Sequence, residues 1–310
     1  MPAIRAVGLR KVYGDVVALD DVSFEVPKGC IYGFVGPNGA GKTTTMRIIC
    51  CLTRPTSGEA EVLGYSLDMP YRIKSLVGYL PENIQLYKSL TVEDHVRLTA
   101  SLHGLDGAEH KHRVETVIEM FGLVRLRGRK CGNLSQGQKR RVGLAMAMVH
   151  NPKLLILDEP TSGLDPIVRG ELLELIRGMG RLGKTVFLSS HVLPEIIDVC
   201  THIGVINNGR ILYSGPVEGL RPQGRVIVKF EVSDGAEKLE SRLKTVDWAI
   251  SFRRAGRRFT VVVRSRRDAC VSLVKLISEA GTPLENFQVS GVDLESTLLH
   301  LLRGGRDEQA

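Results

Sequence analysis

A short apolar segment that runs straight into a glycine-rich turn constrains the fold of this chain more than any other feature. Residues 30–35 have the composition of a buried strand, and the turn at 36–43 reads G-P-N-G-A-G-K-T. Residues 41–52 then have the pattern of a helix. The spacing matches G-x-x-x-x-G-K-[ST] in the strand–turn–helix context that this motif requires. The sequence therefore predicts an α/β fold with a phosphate-binding loop after a strand.

The residue types of this turn suit phosphate chemistry. Glycines allow positive φ angles, so that backbone N–H groups can turn toward phosphate oxygens, and the helix N-terminus adds a favourable dipole. Lys42 supplies a mobile positive charge for the outer phosphates, and the Thr43 hydroxyl can ligate Mg²⁺. The nucleotide-binding residues predicted here are Gly36, Pro37, Asn38, Gly39, Ala40, Gly41, Lys42, Thr43 and Thr44.

Two carboxylates follow a second buried strand, predicted at 154–157. Asp158 and Glu159 would lie at the carboxyl end of that strand, where open α/β sheets bind their ligands. Asp158 is predicted to hold Mg²⁺, directly or through water, and Glu159 to orient and deprotonate an attacking water. The alternative is a pair of solvated carboxylates that begin a loop.

The wider pattern alternates strands with helices. Strands are predicted at 3–9, 22–26, 77–80 and 185–189, and residues from about 91 to 149 are mostly helical in period, with Thr91 as a helix cap. Several of these strands are apolar on both faces, which favours a parallel sheet. Asn208-Gly209 between apolar runs predicts a hairpin over 205–213.

The pattern breaks near residues 215–216 and 221–224, which contain glycine and proline. Beyond the break we expect strand 226–232, helix 235–244, strands 246–253 and 258–264, helix 269–280, strand 287–292 and helix 294–302. This order is that of a split, ferredoxin-like α+β unit. We therefore expect a domain at 1–220, with a helical subdomain at about 85–150, and a smaller domain at 221–310.

Composition bounds the class of protein. Hydrophobic and charged fractions of 43% and 25% are those of a soluble globular protein. No apolar run approaches the roughly 18 residues that cross a bilayer, and residues 1–14 lack the apolar core of a secretory signal. Six cysteines without C-x-x-C spacing are expected to be reduced and mostly buried, in a cytoplasmic protein.

The net charge of +8 includes basic clusters at 125–130, 139–141 and 253–267. Aromatic residues, which would stack on bases, make up only 5% of the chain. Solvated faces, or proximity to anionic lipid headgroups, are therefore favoured over a nucleic-acid surface.

Residues 134–138, L-S-Q-G-Q, open a predicted helix and form a second anion-binding turn that lacks a lysine. With this turn, the phosphate loop and Asp158-Glu159, the chain resembles the ATP-binding-cassette (ABC) ATPases over residues 3 to about 220. The family's signature turn is usually L-S-G-G-Q, and Gln136 is a variant of it. Ser135 and Gly137, which in the family face the γ-phosphate of an ATP held by the partner subunit, are kept. The resemblance thus implies Ser135, Gly137 and Gln138 as nucleotide-binding residues.

Further positions match the family. Residues 162–165, S-G-L-D, resemble its dimer-contact loop, and Pro166 is well placed to start the next helix. His191 matches the histidine that contacts the γ-phosphate; the alternative is a structural or solvated histidine. Tyr13 matches the ring that stacks on adenine; the alternative is an ordinary packing tyrosine.

Glu82 departs from the family, most of whose members carry glutamine after this strand. A carboxylate near phosphates is repelled unless Mg²⁺ lies between them, so Glu82 is a candidate Mg²⁺ ligand. The alternative is a solvated surface acid.

The resemblance implies an ATP-binding and ATP-hydrolysing transporter subunit that uses ATP and Mg²⁺. It implies a homodimer, or a heterodimer with a similar cassette, and a separately encoded membrane permease that places the chain at the inner face of the cell membrane. The accessory unit and the run S-S-H-V-L-P-E resemble the daunorubicin-resistance and polysaccharide-export branch, which favours export.

Two questions stay open at this point. A soluble cassette ATPase acting on nucleic acid or ribosomes is the alternative function, disfavoured because the chain has one phosphate loop and no sustained heptad. The unit after residue 220 is either a ligand sensor or a clamp on the dimer.

Overall fold

The structure, a computed structural model, describes residues 1–220, 226–265, 267–291 and 298. The described residues fall into two compact units, one formed by Met1–Val217 and the other beginning at Glu218. The assignment of 1–220 and 221–310 as separate domains, and of 85–150 as a helical subdomain, stays a prediction.

The first unit contains ten strands and seven α-helices within the described residues. The strands are β1 (Ile4–Tyr13), β2 (Val16–Val26), β3 (Ile31–Val35), β4 (Ser57–Val62), β5 (Tyr65–Ser66), β6 (Val77–Leu80), β7 (Leu154–Leu157), β8 (Thr185–Ser190), β9 (His202–Asn207) and β10 (Arg210–Pro216). The helices are α1 (Lys42–Ile49), α2 (Pro70–Leu76), α3 (Val92–Leu102), α4 (Gly107–Met120), α5 (Gln136–Met148), α6 (Pro166–Arg181) and α7 (Leu193–Val199).

A six-stranded sheet of order β10-β9-β3-β8-β7-β6 carries the site. β3, β6, β7, β8 and β9 are mutually parallel, and β10 returns antiparallel to β9. Every residue of β3, β7 and β8 is buried, because helices and a second sheet pack against this sheet. The predicted parallel sheet is confirmed, and so is the predicted hairpin, whose Asn208 and Gly209 both have positive φ.

A second sheet, of order β2-β1-β4-β5, is antiparallel. It packs on the first sheet through aromatic rings: the Phe24 ring centroid lies 5.4 Å from that of Phe34 and 5.8 Å from that of Phe187. β1 and β2 extend well beyond the predicted segments 3–9 and 22–26. The added residues are both apolar and polar, and backbone pairing between the two strands continues through them.

The predicted helical stretch at 91–149 is three α-helices separated by turns. Thr91 caps α3 as expected, since its Oγ1 accepts a 3.1 Å hydrogen bond from the Asp94 N–H and Asp94 bonds back to the Thr91 N–H. Likewise Pro166 begins α6, as predicted. The helix predicted at 41–52 is shorter and ends at Ile49.

The second unit contains β11 (Val226–Val232), α8 (Ala236–Leu243), β12 (Ala249–Ala255), β13 (Arg258–Val263), α9 (Leu273–Glu279) and β14 (Leu284–Gly291) in its described part. One turn of π-helix, Asp268–Ser272, precedes α9. The antiparallel sheet has the order β12-β13-β11-β14. With the β-α-β-β-α-β element order, this is the predicted ferredoxin-like arrangement. The helix predicted at 294–302 lies outside the described residues, apart from position 298.

All six cysteines are free thiols, and four of them are buried. In the described part of the chain, no helix is both long enough and apolar enough to cross a membrane.

Candidate nucleotide-binding site

The phosphate loop connects β3 to α1 and packs too closely on its neighbours to admit side chains at two positions. Gly41 caps α1 with φ 105°, and a Cβ there would lie 2.7 Å from the Ala18 carbonyl oxygen. A Cβ on Gly36 would lie 2.2 Å from the Ile206 carbonyl oxygen. Both distances are well inside van der Waals contact, so only glycine fits. The close approach to β2 and β9 fixes the shape of the loop that is to wrap a phosphate group.

Lys42 is buried, although it is a cation. Its Nζ donates to the carbonyl oxygens of Gly36 (2.7 Å) and Pro37 (3.2 Å), and lies 3.4 Å from Oε1 of Glu159. The ammonium group is thus held across the mouth of the loop by the loop's own carbonyl groups and one carboxylate. The positive charge of Lys42 is therefore placed to attract a polyanion that enters the loop.

Asp158, the predicted Mg²⁺ ligand, follows β7 and is buried. Its Oδ1 accepts hydrogen bonds from Ser189 Oγ (2.8 Å) and Thr43 Oγ1 (3.2 Å). Its Oδ2 is buried without a hydrogen-bond partner among the described residues. Burial, and after it the negative charge of Asp158, raise the pKa of Tyr79 to about 12. An uncompensated carboxylate oxygen beside a hydroxyl is a donor set that suits a hard cation.

Mg²⁺ usually keeps several waters and takes only one or two carboxylates from the protein, with substrate phosphates completing its shell. In the described ranges, no group of three or more His, Cys, Asp or Glu side chains is arranged to hold a metal ion. The Thr43 hydroxyl and the Asp158 carboxylate are oxygen donors of the kind that a phosphate-bound Mg²⁺ takes from a protein.

Glu159 adopts a backbone conformation that is uncommon for a non-glycine residue, with φ 46°. Such a residue costs on the order of 1–3 kcal/mol and persists only where its surroundings impose it. Here its N–H donates a 2.8 Å hydrogen bond to Ser189 Oγ. The side chain then points to His191, whose Nδ1 lies 2.8 Å from Glu159 Oε2. The strained turn thus places one carboxylate between a lysine and a histidine.

Ser189 was not singled out from the sequence, yet it contacts the carboxylate of Asp158 and the backbone of Glu159. It is fully buried near the end of β8, and its hydroxyl accepts from Glu159 N–H while donating to Asp158. The signal that could have found it is its place two residues before His191 at the carboxyl end of a parallel strand.

The phosphate loop, Glu159 and His191 border one cleft of about 360 Å³. It brings together most of the predicted residues of the phosphate loop and two of the predicted carboxylates, Glu82 and Glu159. The lining residues are Ala18, Asn38, Gly39, Ala40, Gly41, Lys42, Thr43, Thr44, Glu82, Glu159, Ser162 and His191. The predicted residues that do not line it are Tyr13, Gly36, Pro37, Ser135, Gly137, Gln138 and Asp158. Asp158 accepts a hydrogen bond from Thr43, which does line it.

Tyr13 ends β1, and 45% of its surface is exposed. Lys11 Nζ lies 4.9 Å from its ring centroid. An exposed ring has the surface that stacking requires, and the role on adenine stays a prediction.

The signature turn caps α5. Ser135 Oγ accepts from the Gln138 N–H (3.3 Å), and Gln138 Oε1 accepts from the Ser135 N–H (3.0 Å). A Cβ on Gly137 would lie 2.5 Å from Val168 on α6, so the close approach of the two helices requires glycine. The variant residue Gln136 lines a separate cleft of about 380 Å³. The nucleotide-binding role of the turn stays a prediction.

Glu82 follows β6, is exposed, and lines both clefts. This position borders the phosphate loop, as a metal ligand requires, while its exposure is that of a solvated acid. Both interpretations stay open.

In the loop after Glu159, Asp165 Oδ1 accepts from the N–H groups of Ile167 and Val168 at 3.1 Å and so caps α6.

Comparison with known proteins identifies the family of this chain. The family model described as "ABC transporter" matches residues 19–162. The bacitracin transport ATP-binding protein BcrA of Bacillus licheniformis is 33% identical over 307 residues, which are 97% of this chain and 98% of that protein. The daunorubicin resistance ATP-binding protein DrrA3 of Streptomyces coeruleorubidus is 30% identical over 303 residues, 96% of this chain and 95% of that one.

Among solved structures, a dimeric ATP-binding cassette in a post-hydrolysis state with ADP and Pi is 26% identical. It superimposes with a TM-score of 0.63 over 69% of this chain and 98% of its own. The resemblance and the fold class inferred from the sequence are confirmed. The chain belongs to the ABC transporter family, as one of its ATP-binding, ATP-hydrolysing subunits.

Proposed function

We propose that this chain is the Mg²⁺-dependent ATPase subunit of an exporter and that Glu159 is its catalytic base. The observation that carries the proposal is the convergence of Lys42, Asp158, Glu159 and His191 at one edge of the parallel sheet. A catalytic base needs to lie within hydrogen-bond reach of a group that orients it, and the 2.8 Å contact of Glu159 with His191 supplies that group.

The chain's own residues perform distinct parts of the reaction. The Lys42 ammonium leaves Glu159 and the loop carbonyls to bind the outer phosphates of ATP. Thr43 and Asp158 would hold Mg²⁺, which would neutralise charge on the phosphates. Glu159, released from Lys42, accepts a proton from the attacking water at a carboxylate oxygen. His191 fixes the orientation of that carboxylate and, at the rim of the cleft, contacts the γ-phosphate.

A second cassette completes the site. Ser135 and Gly137 do not line the cleft of their own chain, which supports their use on the ATP of a partner, in a homodimer or in a heterodimer with a similar cassette. ATP that contacts both subunits only in the closed dimer favours closure, and loss of the γ-phosphate favours opening. A related cassette has been solved as a dimer with ADP and Pi.

The relatives supply the direction of transport. Those reported above are named for bacitracin transport and daunorubicin resistance, and they match nearly the full length of this chain. We infer export of an antibiotic-like compound through a separately encoded permease, with this chain bound at the inner face of the membrane. A role on nucleic acid or ribosomes has no counterpart among these relatives.

Two experiments test the proposal. The purified chain should hydrolyse ATP only with Mg²⁺, and Lys42→Ala should abolish hydrolysis while Lys28→Ala, at an exposed lysine, leaves it intact. In the native host, deletion of the gene should sensitise cells to an exported compound, and tagged protein from detergent-solubilised membranes should bring down a multi-span membrane protein. Co-purification with ribosomes alone, and unchanged sensitivity to antibiotics, would contradict the transport role.

A further inference from the structure

A buried carboxylate outside the nucleotide cleft connects segments that border it. Glu195, on α7, is only 7% exposed and does not line the cleft. Its Oε2 accepts a 2.6 Å hydrogen bond from Thr161 Oγ1, in the loop that follows Glu159. Its Oε1 lies 3.1 Å from Arg169 Nε, on α6. A charge at this depth is tolerated only with partners, and removal of one partner leaves it uncompensated. The partners here come from two different segments.

Arg169 extends these contacts to the other end of the same loop. Its Nη2 donates a 3.2 Å hydrogen bond to the carbonyl oxygen of Leu164, directly before Asp165. The Glu195–Arg169 pair therefore holds loop 161–164 at both ends. Ser162, between these two anchors, lines the nucleotide cleft. A displacement of this loop therefore disturbs the ion pair between the buried Glu195 and the partly exposed Arg169.

The same carboxylate adjoins the turn that carries His191. Ser190 Oγ lies 3.5 Å from Glu195 Oε2 and accepts a 2.9 Å hydrogen bond from the Val192 N–H. These contacts hold Ser190 and Val192, the two residues that flank His191 in the sequence. Since His191 Nδ1 contacts Glu159 Oε2, a continuous set of contacts runs from loop 161–164 through Glu195 to the predicted base.

We propose that Glu195 is a positioning residue that couples loop 161–165 to His191 and thereby orients Glu159 for hydrolysis. The inference rests on the proposed function, in which Glu159 is the base and a second cassette completes the site, with residues 162–165 as the predicted dimer-contact loop. Association of the partner would shift this loop, and Glu195 would pass the shift to His191. Glu195 itself touches neither the nucleotide nor the attacking water.

A matched pair of variants at Thr161 tests the coupling. Thr161→Val removes the hydroxyl at constant shape, whereas Thr161→Ser keeps it. The free energy of a hydrogen bond to a charged group corresponds to a factor of about ten or more in rate. We therefore expect kcat to fall at least about tenfold in Thr161→Val and Glu195→Gln, with KM for ATP unchanged. Thr161→Ser should retain wild-type turnover. Glu174→Gln is the control, because Glu174 forms ion pairs only at the surface of α6, with Arg177 and Arg181.

A second measurement does not depend on hydrolysis. The ring resonances of His191, assigned by comparison with His191→Gln, are followed by NMR in the full, nucleotide-free chain. They should shift in Thr161→Val and Glu195→Gln, and stay in place in Thr161→Ser and Glu174→Gln. Wild-type kcat in Thr161→Val would overturn the proposal, as would a loss of kcat with unmoved His191 resonances. A wild-type chain that hydrolyses no ATP would refute the proposed function instead, and the resonances would still report on the coupling.

Discussion

Replacement of Ser189 by alanine tests whether one hydroxyl fixes both the Asp158 side chain and the Glu159 backbone. The hydroxyl donates to Asp158 Oδ1 and accepts from the Glu159 N–H, both at 2.8 Å and in a fully buried position. Loss of a hydrogen bond to a charged group costs about 1.5–3 kcal/mol, and a buried N–H left without a partner costs about 1–3 kcal/mol. Because the Glu159 backbone can relax from its positive φ in the variant, we expect the free energy of unfolding to fall by about 3 kcal/mol in total.

The free energy of unfolding is measured by urea titration at pH 7.5, and turnover is measured with saturating MgATP. Ser189→Ala should be less stable by about 3 kcal/mol and should lose at least about tenfold in kcat, because Glu159 is no longer held in place. Ser75→Ala, at an exposed serine on α2, should stay within about 0.5 kcal/mol of wild type. A Ser189→Ala protein with wild-type stability and turnover would refute this account of the carboxylate turn.

Three further predictions concern separate features. Tyr13→Ala should weaken ATP binding about tenfold and Tyr13→Trp should preserve it, as measured with a fluorescent nucleotide; equal affinities would exclude stacking. Glu82→Gln should keep ATP binding but shift the Mg²⁺ dependence of turnover, and an unchanged Mg²⁺ titration would count against a ligand role. Burial lowers the pKa of His150 to about 4, so stability should be full above pH 6.5 and fall by no more than about 3 kcal/mol as the pH drops toward 4. His150→Gln should flatten this decline in urea titrations, whereas an unchanged slope would argue against it.

The His150 prediction has a specific structural cause. Its Nε2 donates to the Val77 carbonyl oxygen at 3.1 Å, so a second proton would go to Nδ1. Nδ1 is buried and has no hydrogen-bond partner among the described residues, and the ring stacks on His103 with centroids 3.6 Å apart. The charged imidazolium is therefore disfavoured in the folded state. His112→Gln, at an exposed histidine on α4, is the matched control.

The contiguous parts of the site could be predicted from the sequence. The phosphate loop and Asp158-Glu159 each follow a buried strand, and local spacing is enough to place such residues at the same edge of a parallel sheet. The ferredoxin-like order of the second unit was predictable for a related reason, since its strands and helices alternate with clear periodicity.

The remaining features depend on residues that are distant along the chain. Ser189 meets Asp158 and Glu159 across about 30 residues, and Glu195 meets Thr161 across 34, so no local pattern reveals either contact. The positive φ of Glu159 is likewise imposed by its neighbours and not by its own residue type. Strand β2 was underestimated because Asp20 and Asp21 separate the apolar residues 16–19 from the predicted segment 22–26.

Substitution of Glu159 by glutamine tests the central claim most directly. The amide keeps the size and much of the hydrogen bonding of the side chain but cannot accept a proton from water. We predict that Glu159→Gln binds ATP, hydrolyses it at no more than about 1% of the wild-type rate, and sediments as a dimer with ATP but as a monomer with ADP. Substantial turnover, or a monomer in saturating ATP, would contradict a composite site in which Glu159 is the base.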